Sequence, residues 1–131
     1  MGKKVRPPKI NKITLSGRMG NTPEIFFAKT SAKALVRFSL AVDSSYYSTK
    51  NDEYIKETTW IKIVAWGSLA ETIKEKGYSG ALVYLEGSIK SRKYSRQDGS
   101  KGESIEITCH HIQFLEYEYS ETESAEIKKE K

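Results

Sequence analysis

The chain has little sulfur and no long apolar run. Its 131 residues include one cysteine, Cys109, and two histidines, His110 and His111. A lone cysteine cannot close a disulfide within the chain, and it fits a reducing compartment. No apolar stretch approaches the length a membrane-spanning helix needs. The N-terminus carries no hydrophobic segment of the kind that opens a secretory signal. A cytoplasmic protein without a membrane partner is the expectation.

The same scarcity argues against metals and catalysis. Adjacent residues on a strand point to opposite faces, so His110 and His111 are not expected to share a metal, and zinc would lack ligands. Asp43, Asp52, Glu53 and Glu57 are the carboxylates to weigh for magnesium. Loop carboxylates near cations are more often solvent-facing partners. No Ser/His/Asp or Cys/His set has orienting partners in sight. We expect no catalytic residues, no cofactor and no metal.

Charge is plentiful but unevenly placed. The formal net charge is +5, yet residues 116–131 hold six glutamates and three lysines, so the first 115 residues carry +8. Five of the first twelve residues are basic and none is acidic. That balance favours a polyanionic partner, against the plainer reading that the charges serve solubility.

Periodicity divides the chain into three parts. Residues 1–9, basic with Pro7-Pro8, read as a flexible arm. Residues 10–115 read as one domain. Residues 116–131, rich in Glu, Ser and Lys, read as a disordered tail. Within the domain, Ile13, Leu15, Gly17 and Met19 alternate with polar residues as a first strand. Glu24–Lys29 reads as a short strand or extended segment. Val36, Phe38, Leu40 and Val42 mark a second long strand. Ser44 to Glu57, polar and irregular with Lys50-Asn51-Asp52 at its tip, reads as a long hairpin loop holding Tyr46, Tyr47 and Tyr54. Thr58–Trp66 is the third strand. Ser68-Leu69-Ala70-Glu71 has the form of a capping box, with Ser68 at the N-cap, opening a helix over roughly Leu69–Lys76 that Gly77 stops. A fourth strand follows from Ala81, with Val83, Leu85, Gly87 and Ile89 on one face. Gln97-Asp98-Gly99-Ser100 signals a turn, read as part of a longer mobile loop. Ser104–Leu115 is the fifth strand. Five strands with a single helix between the third and fourth give an all-β chain with the element order of a five-stranded Greek-key OB-fold barrel.

The third strand carries the strongest functional signal. Its odd positions, Ile61, Ile63 and Ala65, are apolar and suit a core. Its even positions set Lys62 and Val64 between Trp60 and Trp66. Bases stack on flat rings, and phosphates beside them are held by positive charge. A strand buried on both faces is the plainer alternative. Tyr46-Tyr47 and Lys90-Ser91-Arg92-Lys93-Tyr94-Ser95-Arg96 repeat the aromatic and basic theme far away in sequence, which weakens that alternative.

The chain resembles the bacterial single-stranded DNA-binding protein family (SSB). The matching segments are Asn11 to Gly20 (NKITLSGRMG), Pro23-Glu24, Phe38-Ser39-Leu40-Ala41, Glu57 to Gly67 (ETTWIKIVAWG) and Leu69-Ala70-Glu71. Val83-Tyr84-Leu85-Glu86-Gly87, Arg92-Lys93-Tyr94 and Asp98-Gly99 follow in order. The match covers about residues 10–115. It implies binding of single-stranded DNA without strong sequence preference, in replication, recombination or repair, by a homo-oligomer, usually a homotetramer. It implies stacking on Tyr46, Trp60, Trp66 and Tyr94, the first and last of which are often tryptophan in the family. It implies phosphate contacts from Lys62, Arg92 and Lys93, with Arg37 and Lys90 less securely carried over. Ile61 stands where a histidine is common, at a position associated with subunit contacts. A nucleoid-associated cytoplasmic setting is also implied. The chain departs from the family pattern at Glu126 to Lys131, where family members usually show an acidic tip with Pro-Phe. Replication and repair partners that read such a tip are therefore not expected. The runner-up readings are a primosome-type or RNA-binding OB module, or a specialised paralogue for DNA uptake or a mobile element.

Overall fold

The computed structural model describes residues 2–115. The tail assigned to 116–131 lies outside the described residues. Eight strands and one helix are present: β1 Ile13–Met19, β2 Glu24–Phe27, β3 Ala34–Asp43, β4 Tyr46–Ser48, β5 Glu53–Ile55, β6 Thr58–Trp66, α1 Ser68–Lys76, β7 Leu82–Ser95 and β8 Lys101–Phe114.

Five of the strands close on themselves. The hydrogen-bonded order runs β1-β7-β8-β6-β3, and β3 returns to β1 through Arg18 opposite Ala41 and Met19 opposite Leu40. All these pairs are antiparallel except β6–β8, which is parallel. The helix stands between the third and fourth barrel strands, β6 and β7, as the OB-fold order requires. β2 adds to the free side of β3, and β4–β5 forms a separate two-stranded hairpin.

Alternation builds the interior. Val36, Phe38 and Leu40 of β3, Ile63 and Ala65 of β6, Val83 and Leu85 of β7, and Ile107 and Cys109 of β8 meet in one buried cluster. The helix adds Ala70 and Ile73, one turn apart and both fully buried. Full burial of a side chain such as Ile73 stabilises by about 1.5–3 kcal/mol. Backbones approach closely where Gly17 crosses β3: a Cβ there would lie 2.3 Å from the Ala41 carbonyl oxygen.

Several details differ from the sequence reading. The helix starts one residue earlier, and its N-cap is Gly67 at φ 68° with no side-chain cap bond. The chain leaves β6 through a left-handed turn that glycine takes without strain, which leaves no N-cap role for Ser68. The hairpin expected over 44–57 is present, but its arms are ordered as the paired strands β4 and β5 rather than irregular. The expected mobile loop near residue 98 is a tight turn. β7 and β8 stay paired out to Ser95 and Lys101. Arg96 N–H donates to Ser100 O at 2.8 Å, Gly99 sits at φ 86°, and Asp98 accepts from both Ser100 N–H and Ser100 Oγ. Those hydrogen bonds hold the Asp98 carboxyl below its usual range.

The register of β7–β8 slips beside Gly87, leaving His110 as an extra residue between the pairs Gly87–Cys109 and Glu86–His111. Such a bulge shifts the alternation by one. The inward positions change from Ile107 and Cys109 to Ile112 and Phe114, and both His110 and His111 are exposed. The expectation that these histidines face opposite ways does not hold, because simple alternation fails at a bulge. Ser88 Oγ lies 3.0 Å from His110 Nε2.

Candidate nucleic-acid interface

Register on β3 and β6 sets out one outer face in rows. Ala41 stands opposite Trp60, Ser39 opposite Lys62, Arg37 opposite Val64 and Leu35 opposite Trp66. The small residues Ala41 and Ser39 leave Trp60 and Lys62 clear. Trp60 is 62 % exposed and Trp66 41 %. Val64 departs from the expected row of exposed even positions, being buried. It sits directly across from Arg37, whose long apolar stem shares its face.

The aromatic rings are set by neighbours that give them room or charge. Trp60 lies over Gly20, where a Cβ would fall 2.4 Å from Trp60 Cζ3. Tyr94 lies over its cross-strand partner Gly102, where a Cβ would fall 2.4 Å from Tyr94 Cζ. Lys33 Nζ is 5.8 Å from the Trp66 ring centre, and Arg96 Cζ is 5.4 Å from that of Tyr94. Each cation over a ring at an exposed site contributes about 0.5–1 kcal/mol.

The cations converge from separate strands. Arg37 of β3, Lys62 of β6 and Arg92 of β7 line one open cleft of about 280 Å³, with Glu24 and Glu106 at its walls. Among the described residues the one ion pair within 4.0 Å is Lys12–Glu86, at 3.9 Å. Among those residues Arg37, Lys62, Lys90, Arg92 and Lys93 form no such pair. Arg37 Nε is buried and has no hydrogen-bond partner among the described residues.

Lys90, Arg92 and Tyr94 alternate onto one face of the β7–β8 ribbon, opposite Glu106, Ser104 and Gly102. Lys93 falls on the other face with Ser91 and Ile105. Tyr46 lies outside the barrel face, on β4, and is exposed. The structure thus gathers Arg37, Trp60, Lys62 and Arg92, with Trp66 at one end, and sets Lys93 and Tyr46 apart. Sequence reasoning missed Phe26. It stands opposite Leu35, which itself stands opposite Trp66, and it is 45 % exposed. Only the register of the short strand β2 shows this.

The family model for the single-strand binding protein family (SSB) matches residues 10–115, the span that forms the barrel, its helix and the β4–β5 hairpin. The chain belongs to the single-strand binding protein family.

Curated relatives in the family agree. The chain is 34 % identical over 115 residues to single-stranded DNA-binding protein 3 of Clostridium acetobutylicum, covering 88 % of this chain and 77 % of that protein. It is 35 % identical over 106 residues to single-stranded DNA-binding protein 1 of Streptococcus pyogenes, covering 81 % and 77 %. Identity to the single-stranded DNA-binding protein of Neisseria meningitidis is 34 % over 106 residues, 81 % of this chain but only 60 % of that protein. Among solved structures, the Plasmodium falciparum SSB complex with ssDNA superposes with a TM-score of 0.77 at 26 % identity. That match spans 86 % of this chain and all of the other. No helix among the described residues is long and apolar enough to cross a membrane.

Proposed function

We propose that this chain binds single-stranded DNA without sequence preference and shields it during replication, recombination or repair. The observation that carries the reading is the outer face of β6. Two exposed tryptophans there flank Lys62, which makes no ion pair within 4.0 Å among the described residues. Bases stack on Trp60, Trp66 and Tyr94, and phosphates pair with Lys62, Arg37 and Arg92, with Lys90 and Lys93 further along the ribbon. Tyr46 is the family position on the β4–β5 hairpin. The strand is held and not transformed, so the reading assigns no catalytic step. A cytoplasmic, nucleoid-associated setting belongs to the same proposal.

The protein works as a homo-oligomer in this reading, a homotetramer by resemblance to the family. Apolar surface supports association: Ile89 and Ile105 lie on the same face of the β7–β8 ribbon and are 47 % and 66 % exposed. Ile61, Leu82 and Tyr84 are half-buried in the single chain. Exposed apolar side chains such as Ile89 and Ile105 support association, since exposed apolar patches mark association sites.

The test is titration of tryptophan fluorescence with poly(dT), poly(U) and duplex DNA, with the mass measured by light scattering. Strong quenching by poly(dT) and little by duplex is expected. A chain that ignores poly(dT) would sink the reading, and a preference for poly(U) would shift it to an RNA-binding module.

A further inference from the structure

The β4–β5 hairpin continues the register of β3 and β6. Asp43 stands opposite Thr58. Three residues further along each side, Tyr46 stands opposite Ile55, then Tyr47 opposite Tyr54 and Ser48 opposite Glu53. The junction is bonded, with Ser44 N–H donating to Glu57 O at 2.9 Å and Glu57 N–H donating to Ser45 Oγ at 3.1 Å. No residue is gained on either side of the short non-strand links at 44–45 and 56–57, so the count that sets side-chain parity is kept across the junction. Tyr47 and Tyr54 have the parity of Ala41, Trp60, Lys62 and Trp66. Tyr46 and Ile55 have the parity of Leu40 and Ile61, which turn toward the core. Ile55 is half-buried, whereas Tyr46, Tyr47 and Tyr54 are 52 %, 55 % and 60 % exposed, so it is parity rather than burial that sets Tyr47 and Tyr54 apart from Tyr46. Side chains directly opposite on paired strands sit side by side. The Tyr47 hydroxyl donates to Asp52 at the hairpin turn, which restrains its ring.

We propose that Tyr47 and Tyr54 form a base-stacking platform continuing the Trp60–Trp66 row, and that this pair, not Tyr46, is the hairpin's contact with single-stranded DNA. The proposal rests on the single-stranded DNA reading above. A nucleic-acid strand is the occupant because the pair carries on the tryptophan row in the same register. Stacking rather than charge drives the contact. Lys50 and Lys56 of the hairpin are outnumbered by Asp52, Glu53 and Glu57. The hairpin adds affinity without adding salt dependence.

The experiment is fluorescence anisotropy of the full chain with oligo(dT) of stepped length. The double variant Tyr47→Ala, Tyr54→Ala should bind long oligomers about tenfold more weakly, the scale of one lost stacking platform. Its salt slope should match the parent's, and the shortest oligomers that the parent holds should bind as before. Tyr47→Phe with Tyr54→Phe keeps both rings and should bind like the parent. On the parent protein, photocrosslinks from oligomers carrying 5-iododeoxyuridine should map to Tyr47 or Tyr54. Crosslinks confined to the barrel, or a loss with Tyr46→Ala that the double variant does not show, would overturn the assignment. If the parent binds no oligo(dT), the functional reading itself fails. If the parent binds and the double variant matches it at every length, only the Tyr47–Tyr54 platform fails.

Discussion

Trp60 and Gly20 share one space. A Cβ on Gly20 would sit 2.4 Å from Trp60 Cζ3 and 3.2 Å from Cη2. The backbone under the ring is pinned, since Gly20 N–H donates to Ser39 O at 2.7 Å. Tyr94 and Gly102 repeat the arrangement on the β7–β8 ribbon. Two of the rings assigned to stacking thus rest against a glycine backbone. That limits where each ring can go and lowers the ordering cost when a base arrives.

Gly20→Ala should therefore act on binding more than on folding. The added methyl meets an exposed ring that can swing outward, not a packed core. We expect an unchanged circular dichroism spectrum. The loss of poly(dT) affinity should approach that of Trp60→Ala, about 1–3 kcal/mol. Gly102→Ala should do the same at Tyr94. Parent-like affinity for Gly20→Ala, beside a weak Trp60→Ala, would show that the ring's seat does not matter.

The chain has only two tryptophans, so each single variant leaves one reporter. Trp60→Ala should lose about 1–3 kcal/mol of binding, and the remaining Trp66 should still be quenched by poly(dT). Trp66→Ala should lose less, because Trp66 is the less exposed ring and already has Lys33 nearby. A Trp66 signal that stays flat during titration would make it a structural residue.

Binding should weaken steeply with salt. Each phosphate neutralised on a single strand contributes about −0.7 to the slope of log K against log salt. Lys62→Ala and Arg92→Ala should each flatten that slope as well as lower affinity, since both line the cleft with Arg37. Lys93→Ala tests the geometry, as Lys93 sits on the other face of the ribbon. A smaller change in slope is expected there. Equal effects at Arg92 and Lys93 would mean that the strand wraps both faces.

Alternation made much of this legible in the sequence. The inward faces of β1, β3 and β7 follow strict period-2 patterns, and the Trp60–Lys62–Trp66 row stood out for the same reason. What was not legible depends on long-range register. Val64 looks like a surface residue until Arg37 is known to lie across from it. His110 looks like an ordinary strand position, because nothing local announces the bulge that Gly87 admits by lacking a Cβ: one there would lie 2.2 Å from Thr108 O. The capping box at Ser68 was a sound local signal that lost to the turn at Gly67. Ile89 continues the inward pattern of β7 but is exposed, because the ribbon has outrun the barrel. Phe26 and the Tyr47–Tyr54 pair become visible only once strands are aligned.

Cys109 offers a test of how tightly the barrel closes. It is 3 % exposed on β8, and its Sγ lies 3.4 Å from the His111 carbonyl oxygen. Burial pushes its thiol up to about 11, while the bond to His111 pulls weakly the other way. The native state therefore holds the thiol proton more tightly than the unfolded chain, where the group titrates near its ordinary value of 9.0. The stability this contributes is complete below that value and is lost as pH rises toward 11. Cys109→Ala lacks the term, so the parent's advantage in thermal unfolding over the variant should shrink between pH 9 and 11. At pH 8 the native thiol should resist iodoacetamide and react once denaturant is added, since only the thiolate is the nucleophile. Rapid alkylation of the native protein would show that the β8 side of the barrel opens far more readily than its packing implies.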